Sequence, residues 1–99
     1  MNIRSWMVDR IRYFKYIGQA GNGERKFEES MKNARVELKD RITSNASGNV
    51  VVGKGVIITK TKISNEDKFI YKDTAYKIIS SNEYKDKRGN VSHYEGVFE

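Results

Sequence analysis

The sequence predicts a mainly β protein, a small barrel of about six to seven antiparallel strands, and three observations support this class. Short β-branched or aromatic segments recur, most clearly in the C-terminal half of the 99-residue chain. Polar and glycine-containing turns separate them at intervals of about ten residues. The length leaves room for one core, so we take residues 1–99 as a single domain, with residues 1–8 as a flexible N-terminal segment.

The first predicted strand covers residues 10–17, an aromatic run that includes Tyr13, Phe14 and Tyr16. Three glycines between Gly18 and Gly23 then predict a tight connection.

Residues 24–39 fit two structures. Phe27, Met31, Ala34 and Leu38 lie at i, i+4, i+7 and i+11, the spacing of an amphipathic helix, which would make the fold α+β. The apolar residues Ala34, Val36 and Leu38 also alternate with charged residues, which is the pattern of a strand. Local propensity alone favours the helix.

Residues 43–55 predict a long mobile loop, or an extended hairpin with a soft stem, since small polar residues and glycines surround a β-branched run. The candidate loop residues are Thr43, Ser44, Asn45, Ser47, Gly48, Asn49, Gly53, Lys54 and Gly55.

The remaining elements read as strands. Residues 56–61 are almost entirely β-branched, and residues 67–71 and 75–79 flank a short polar turn at 72–74. Gly89-Asn90 predicts the next turn because both residues tolerate positive φ, and residues 91–98 form a final strand.

The composition argues against catalysis. The chain has no cysteine, a single histidine, and no nucleophile elbow, Walker loop or dinucleotide fingerprint. Its acidic pairs lack the ligand spacing of a calcium loop. No apolar stretch approaches the roughly 20 residues of a membrane span, and no secretory h-region is evident. We therefore expect an intracellular, non-enzymatic protein with no cofactor, metal site or membrane partner.

A net charge of +6 and many aromatic residues favour a second interpretation. Rings beside cations form the stacking surfaces of oligonucleotide-binding barrels. The alternative function is a small nucleic-acid-binding β-barrel, although the same rings could fill the core. The aromatic residues concerned are Tyr13, Phe14, Tyr16, Phe69, Tyr71, Tyr76, Tyr84, Tyr94 and Phe98.

The C-terminal cadence is the most distinctive part of the chain. An acid and a hydrophobic pair precede a turn, a tyrosine and an aliphatic pair follow it, and a His-Tyr-Glu strand comes later. The positions that carry this pattern are Asp67, Phe69, Tyr71, Tyr76, Ile78, Gly89, His93 and Tyr94. The pattern resembles the minor capsid, or head–tail joining, proteins of tailed bacteriophages and prophages, across roughly residues 10–98.

This resemblance implies a structural virion protein of the head-closure (stopper) type, found in the virion and, during assembly, in the cytoplasm of the bacterial host. Copies would form a ring below the phage portal and adaptor proteins, close the DNA channel with the 43–55 loop, and join the tail. Implied partners are other copies, portal and adaptor proteins, tail proteins and packaged DNA. From its charge alone, we expect Lys54 to face DNA phosphates. A tail-completion role in the same phage module is the neighbouring alternative. The resemblance also implies strands, not a helix, at 24–39.

Overall fold

The computed structural model describes residues 9–44 and 47–99, and these form an all-β structure. Its six strands are β1 (Asp9–Gln19), β2 (Arg25–Ser44), β3 (Val50–Thr59), β4 (Lys68–Tyr71), β5 (Thr74–Lys85) and β6 (Val91–Phe98). They close into an antiparallel barrel in the order β1-β2-β3-β6-β5-β4. The predicted fold class is confirmed. In the described part of the chain, no helix is long and apolar enough to cross a membrane.

The helical alternative at 24–39 is wrong, because this segment is the middle of β2. Residues 25–34 pair with β1, and residues 34–38 pair with β3. Alternation therefore prevails over the helical spacing: Ala34 and Val36 face the core, whereas Met31 and Leu38 are exposed. The pairing with β1 and β3 depends on contacts between strands, and local propensity within the segment carries no information about them.

The predicted loop at 43–55 is largely a hairpin, as the second interpretation of that segment proposed. Thr43 and Ser44 end β2, residues 50–55 begin β3, and the register runs from Ser44↔Val50 to Leu38↔Gly55 with one irregularity. The described part of the connection between the two strands is thus residues 47–49. β-Branched residues on both strands explain why the stem is a sheet. The expected mobility of this segment stays a prediction.

Tight turns close the other hairpins where the sequence predicts them. Gly23 has a φ of +88° between β1 and β2, and Gly89 has a φ of +85° between β5 and β6. Lys72 and Asp73 join β4 to β5 with φ values of 50° and 63°, the pair of positive angles typical of a type I′ turn. In the turn between β5 and β6, Asp86 Oδ1 accepts hydrogen bonds from the backbone N–H groups of Arg88 and Asn90.

One compact cluster of side chains fills the barrel. Phe69 and Phe98 meet edge to face with ring centroids 5.0 Å apart, and Tyr76 lies 4.7 Å from Phe98. The complete set of buried members is Ile11, Tyr13, Ala34, Val36, Ile57, Ile63, Phe69, Ile78 and Phe98. Every strand of the barrel contributes at least one residue to this core, which therefore holds the ring of strands closed.

The long strand β2 bends where the barrel ends. Twenty residues of straight strand would measure roughly 65 Å, but the longest dimension of the molecule is 46 Å. The register shift between Leu38 and Arg41 supplies the bend, as β-bulges do at barrel rims. Gly55 lies opposite this bend. A Cβ atom added to Gly55 would be 2.7 Å from Cζ of Phe98 and would also meet the backbone oxygen of Glu37.

We predict that Gly55→Ala lowers the free energy of unfolding by about 1–3 kcal/mol, because the new methyl group would overlap the Glu37 backbone and the Phe98 ring. Urea unfolding followed by circular dichroism measures the change. Gly21→Ala is the matched control, since nothing lies within 4 Å of its Cβ position, and it should change stability by less than about 0.5 kcal/mol. Equal stability of the two variants would contradict the close approach at Gly55.

Candidate functional site

Residues 38–44 and 47–55 form a two-stranded arm that continues beyond the barrel, and we call these residues the arm. In its outer part, β2 has left β1 and β3 has not yet reached β6, so neither strand has a second neighbour. Its backbone edges are consequently open to another strand. A two-stranded hairpin is only marginally stable by itself, so its other contacts matter.

The outward face of the arm is aliphatic. Ile42 lies directly opposite Val52, and Val50 lies opposite Ser44 one step further on. Because side chains alternate between faces, these residues share one side. Ile42 is 79% exposed, Val50 73% and Val52 62%, and Leu38 at the base of the arm is also exposed. Contiguous exposed aliphatic side chains mark interaction surfaces.

The inward face of the arm rests against the barrel wall. Thr43 Oγ1 donates to Ser80 Oγ on β5 at 3.1 Å, although β2 and β5 are not neighbours in the sheet. Between arm and wall is an open groove of about 220 Å³. Val56 lines this groove and is buried with Ile58 in a small cluster on the outer side of β3, against which Val97 packs. The arm is thus attached to the barrel, not detached from it.

The predicted loop residues are distributed over the two faces and the tip of the arm. Ser47, Gly48 and Asn49 belong to the connection, where Gly48 has a φ of +82°. Gly53 and Gly55 are buried, and Lys54 between them is exposed at the base of the arm. Asn45 lies outside the described residues, as does the predicted flexible segment 1–8.

The positions of the C-terminal sequence pattern build the C-terminal half of the barrel. Phe69 and Ile78 are core residues, and Tyr71, Tyr76 and Tyr94 pack against that core. Gly89 makes a turn with positive φ. His93 stacks on Tyr84 with ring centroids 4.9 Å apart. The sequence pattern therefore marks residues that are needed for the fold.

Asp67 differs from the other positions of this pattern because its carboxyl side chain is buried, only 2% exposed. Its carboxylate accepts hydrogen bonds from the Tyr13 hydroxyl, from the backbone N–H of Tyr16 at 2.8 Å and from that of Ser64 at 3.1 Å. Its own carbonyl oxygen accepts from Ile78 N at 2.8 Å. One residue thus joins β1, the β3–β4 connection and β5 at one end of the barrel.

Two neighbours of this carboxylate have shifted pKa values. Burial raises the pKa of Tyr13, and the hydrogen bond to Asp67 raises it further. Burial lowers the pKa of Lys32, an effect that the Asp67 charge partly opposes. The Lys32 ammonium lies 4.8 Å from the centroid of the Tyr13 ring and donates to Thr61 Oγ1 at 2.6 Å. This cluster ties the barrel end together.

A second surface lies on the outer face of β1, β2 and β4, and we call it the cation–aromatic face. Its members are Arg12, Phe14, Tyr16, Arg25, Phe27 and Lys68. Tyr16 and Phe27 are cross-strand partners whose ring centroids are 5.8 Å apart. Phe14 pairs directly with Lys68 on β4. The three rings therefore lie on the same side of β1 and β2, and Lys68 of β4 lies beside them.

Each ring of the cation–aromatic face has a cation beside it. Arg12 Cζ lies 5.4 Å from the Phe14 centroid, Arg25 Cζ 5.6 Å from that of Tyr16, and Lys68 Nζ 5.0 Å from that of Phe27. These distances are typical of cation–π contacts. Arg12 also forms an ion pair with Glu29 at 3.0 Å.

The sequence pointed to some of these residues and missed others. Phe14 and Tyr16 stand out as aromatic residues beside cations, but Phe27 belonged to the apparent helical stripe. Only the β1–β2 register, Tyr16↔Phe27, brings Phe27 to this face. The roles of Arg25 and Lys68 likewise depend on contacts between distant strands. For the buried Asp67, the local sequence carries no signal of its three donors.

Among residues 9–44 and 47–99, no group of three histidine or acidic side chains is placed to hold a metal ion. No protein-family model matches this chain, and no curated protein sequence is similar to it.

We predict that Asp67→Asn lowers the free energy of unfolding by about 1–3 kcal/mol. The side-chain amide has a single accepting oxygen, and its NH2 group would face at least one of the three donors. Tyr13→Phe should lower the free energy of unfolding by about 1 kcal/mol. The double variant should lose less than the sum of the two single losses, since both changes remove the same hydrogen bond. Urea unfolding of the four proteins measures this coupling. Glu83→Gln, an exposed carboxyl changed to an amide, is the control and should be nearly neutral. Additive effects of Asp67→Asn and Tyr13→Phe would contradict the hydrogen bond between the two side chains.

Tyr13 also predicts a loss of stability at alkaline pH. Its pKa is raised in the folded protein above the usual 10.0, so the folded state keeps the phenol proton when the unfolded state loses it. The contribution is therefore complete below pH 10 and decreases as the pH rises above it, by about 1.4 kcal/mol per unit. The difference in unfolding free energy between wild type and Tyr13→Phe should shrink between pH 9 and pH 11. A constant difference would show that Tyr13 ionises normally in the fold.

Proposed function

We propose that this protein is a structural component of a tailed-phage head–tail connector. In this role, copies form a ring below the portal and adaptor proteins, and the arm closes the DNA channel before the tail joins. The observation that carries the proposal is the arm, because it extends a small barrel at the position where the phage resemblance expects a channel loop. The C-terminal sequence pattern, from Asp67 to Tyr94, is the second line of support.

The physical properties of the arm suit a protein that acts in an assembly. Its outward side chains Ile42, Val50 and Val52 remain in water in the single chain, at an unfavourable free energy of roughly 1 kcal/mol or more each. Contact with a neighbouring copy would remove this exposure. The open edges of the hairpin offer backbone donors and acceptors to the same neighbour.

The barrel itself suits a rigid carrier for such an arm. Where the barrel strands have a neighbour on both sides, strand addition is blocked, whereas the outer part of the arm keeps open backbone edges. Lys54 is exposed at the base of the arm, where its charge would face DNA phosphates in a channel. The bend at Leu38–Arg41 and the buried Gly53 lie at the place where the arm leaves the barrel, and a change in arm direction would occur there.

The test is complementation in the phage or prophage that carries the gene. We predict that a deletion gives filled heads that lose DNA and remain tailless, and that the wild-type chain restores tailed particles, counted by electron microscopy. The double variant Ile42→Ser/Val52→Ser should fail to restore them while the barrel stays folded, because both residues are exposed.

Ile17→Ser is the matched control, since Ile17 is an exposed isoleucine that lies away from the arm, and it should complement fully. Normal tailed particles from the deletion strain would overturn the connector role. Full activity of Ile42→Ser/Val52→Ser would overturn the role of the arm. A gene that lies among replication genes, without portal or tail genes beside it, would also count against the proposal.

A further inference from the structure

The cation–aromatic face has a composition that the fold does not require. The barrel core is complete without it, because Tyr13 of β1, Phe69 of β4 and Phe98 of β6 fill the interior from the inward faces of their strands. Phe14, Tyr16 and Phe27 point the other way and remain partly exposed. Three partly exposed rings in one band offer flat apolar surfaces to a ligand.

The charges around the rings are mainly positive. Arg10 and Arg12 alternate with inward residues on β1, and Lys77 pairs with Lys68 across β4 and β5, which places both lysines on the same side. The ion pairs on this side use Glu29 and Glu66, and the second carboxylate is shared by Arg25 and Lys77. The face thus carries more cations than the carboxylates that contact them, and it complements a polyanion.

We propose that the cation–aromatic face binds single-stranded nucleic acid, with bases stacked on Tyr16, Phe27 and Phe14 and phosphates held by Arg12, Arg25 and Lys68. Stacking of a base on an aromatic side chain contributes about 1–3 kcal/mol, whereas an exposed cation–π contact contributes about 0.5–1 kcal/mol. A base can therefore replace a cation on the ring, and the released cation moves to a phosphate.

The rings and the shape of the barrel favour a single strand over other polyanions. Bases inside a duplex are stacked on each other and are not available to side chains on a convex barrel wall. An acidic peptide would use the cations but would leave the rings without a partner. A single strand uses both, and a site that spans three strands matches the roughly 4–16 nucleotides that one small barrel binds.

The salt dependence of binding follows from the number of phosphate contacts. Three cations that each neutralise one phosphate of a single strand give a slope of log K against log salt of about −2. Removal of two of these cations should reduce the slope to about −0.7. A loss of rings should weaken binding at every salt concentration and leave the slope unchanged.

The experiment is fluorescence anisotropy of a labelled 12-nucleotide oligothymidine titrated with the full chain between 20 and about 200 mM salt. We expect binding with a slope near −2 and at least about tenfold weaker binding of the corresponding duplex. Tyr16→Leu/Phe27→Leu should weaken binding by about tenfold or more with the slope retained. Arg12→Gln/Lys68→Gln should lower the slope, and these exposed changes leave the core intact.

The matched control is Lys87→Gln/Arg88→Gln in the β5–β6 turn, which removes the same charge outside the cation–aromatic face. It should reduce affinity by less than about twofold. Absence of binding by the wild-type chain at low salt would overturn the proposal. Equal losses in the turn control and the face variants, or displacement by a polyglutamate peptide as effective as by unlabelled oligothymidine, would also overturn it.

This proposal stands apart from the connector role. A chain that restores tailed particles but binds no oligonucleotide would overturn the face and leave the arm proposal intact. A chain that binds oligothymidine through the face but is dispensable for tail attachment would do the reverse.

Discussion

The buried carboxylate of Asp67 is the interaction on which the rest of the barrel depends. It lies at the end of the long β3–β4 connection, where the chain must leave one side of the barrel and begin the short strand β4. Three donors from β1 and from that connection converge on it, and its carbonyl oxygen binds β5. A buried charge without such partners would destabilise the fold strongly. With them, it holds β4 beside β1, where only three residue pairs close the ring.

Barrel closure has a consequence at the opposite side of the sheet. Gly55 lies where β2, β3 and β6 are all in register, since it pairs with Leu38 on one side and Phe98 on the other. Because the Phe98 ring fills the core beneath it, no side chain fits at this position. Beyond Gly55 the two strands separate from the closed ring and continue as the arm. The core therefore determines where the barrel ends, and the arm is the part of the hairpin that the core cannot use.

The barrel divides the aromatic residues of the chain between two tasks. The inward rings build the core, and the outward rings of β1 and β2 form a band with cations beside them. Since successive strand residues face opposite sides, one strand supplies both: Tyr13 goes to the interior, and Phe14 and Tyr16 go to the outer wall. The arm and the cation–aromatic face are consequently separate surfaces, one aliphatic and one cationic.

The sequence by itself determined the β class, the C-terminal strands and the turns at 72–73 and 89, because these depend on local β propensity and on residues that tolerate positive φ. It also located the segment that became the arm. The tertiary structure alone decided that residues 25–39 form a strand, since their spacing fits both a helix and a strand and the pairing with β1 and β3 made the choice. It alone joined Asp67 to Tyr13 and Phe27 to Tyr16. Such pairings arise from the closure of the barrel, which brings together residues that no local pattern connects.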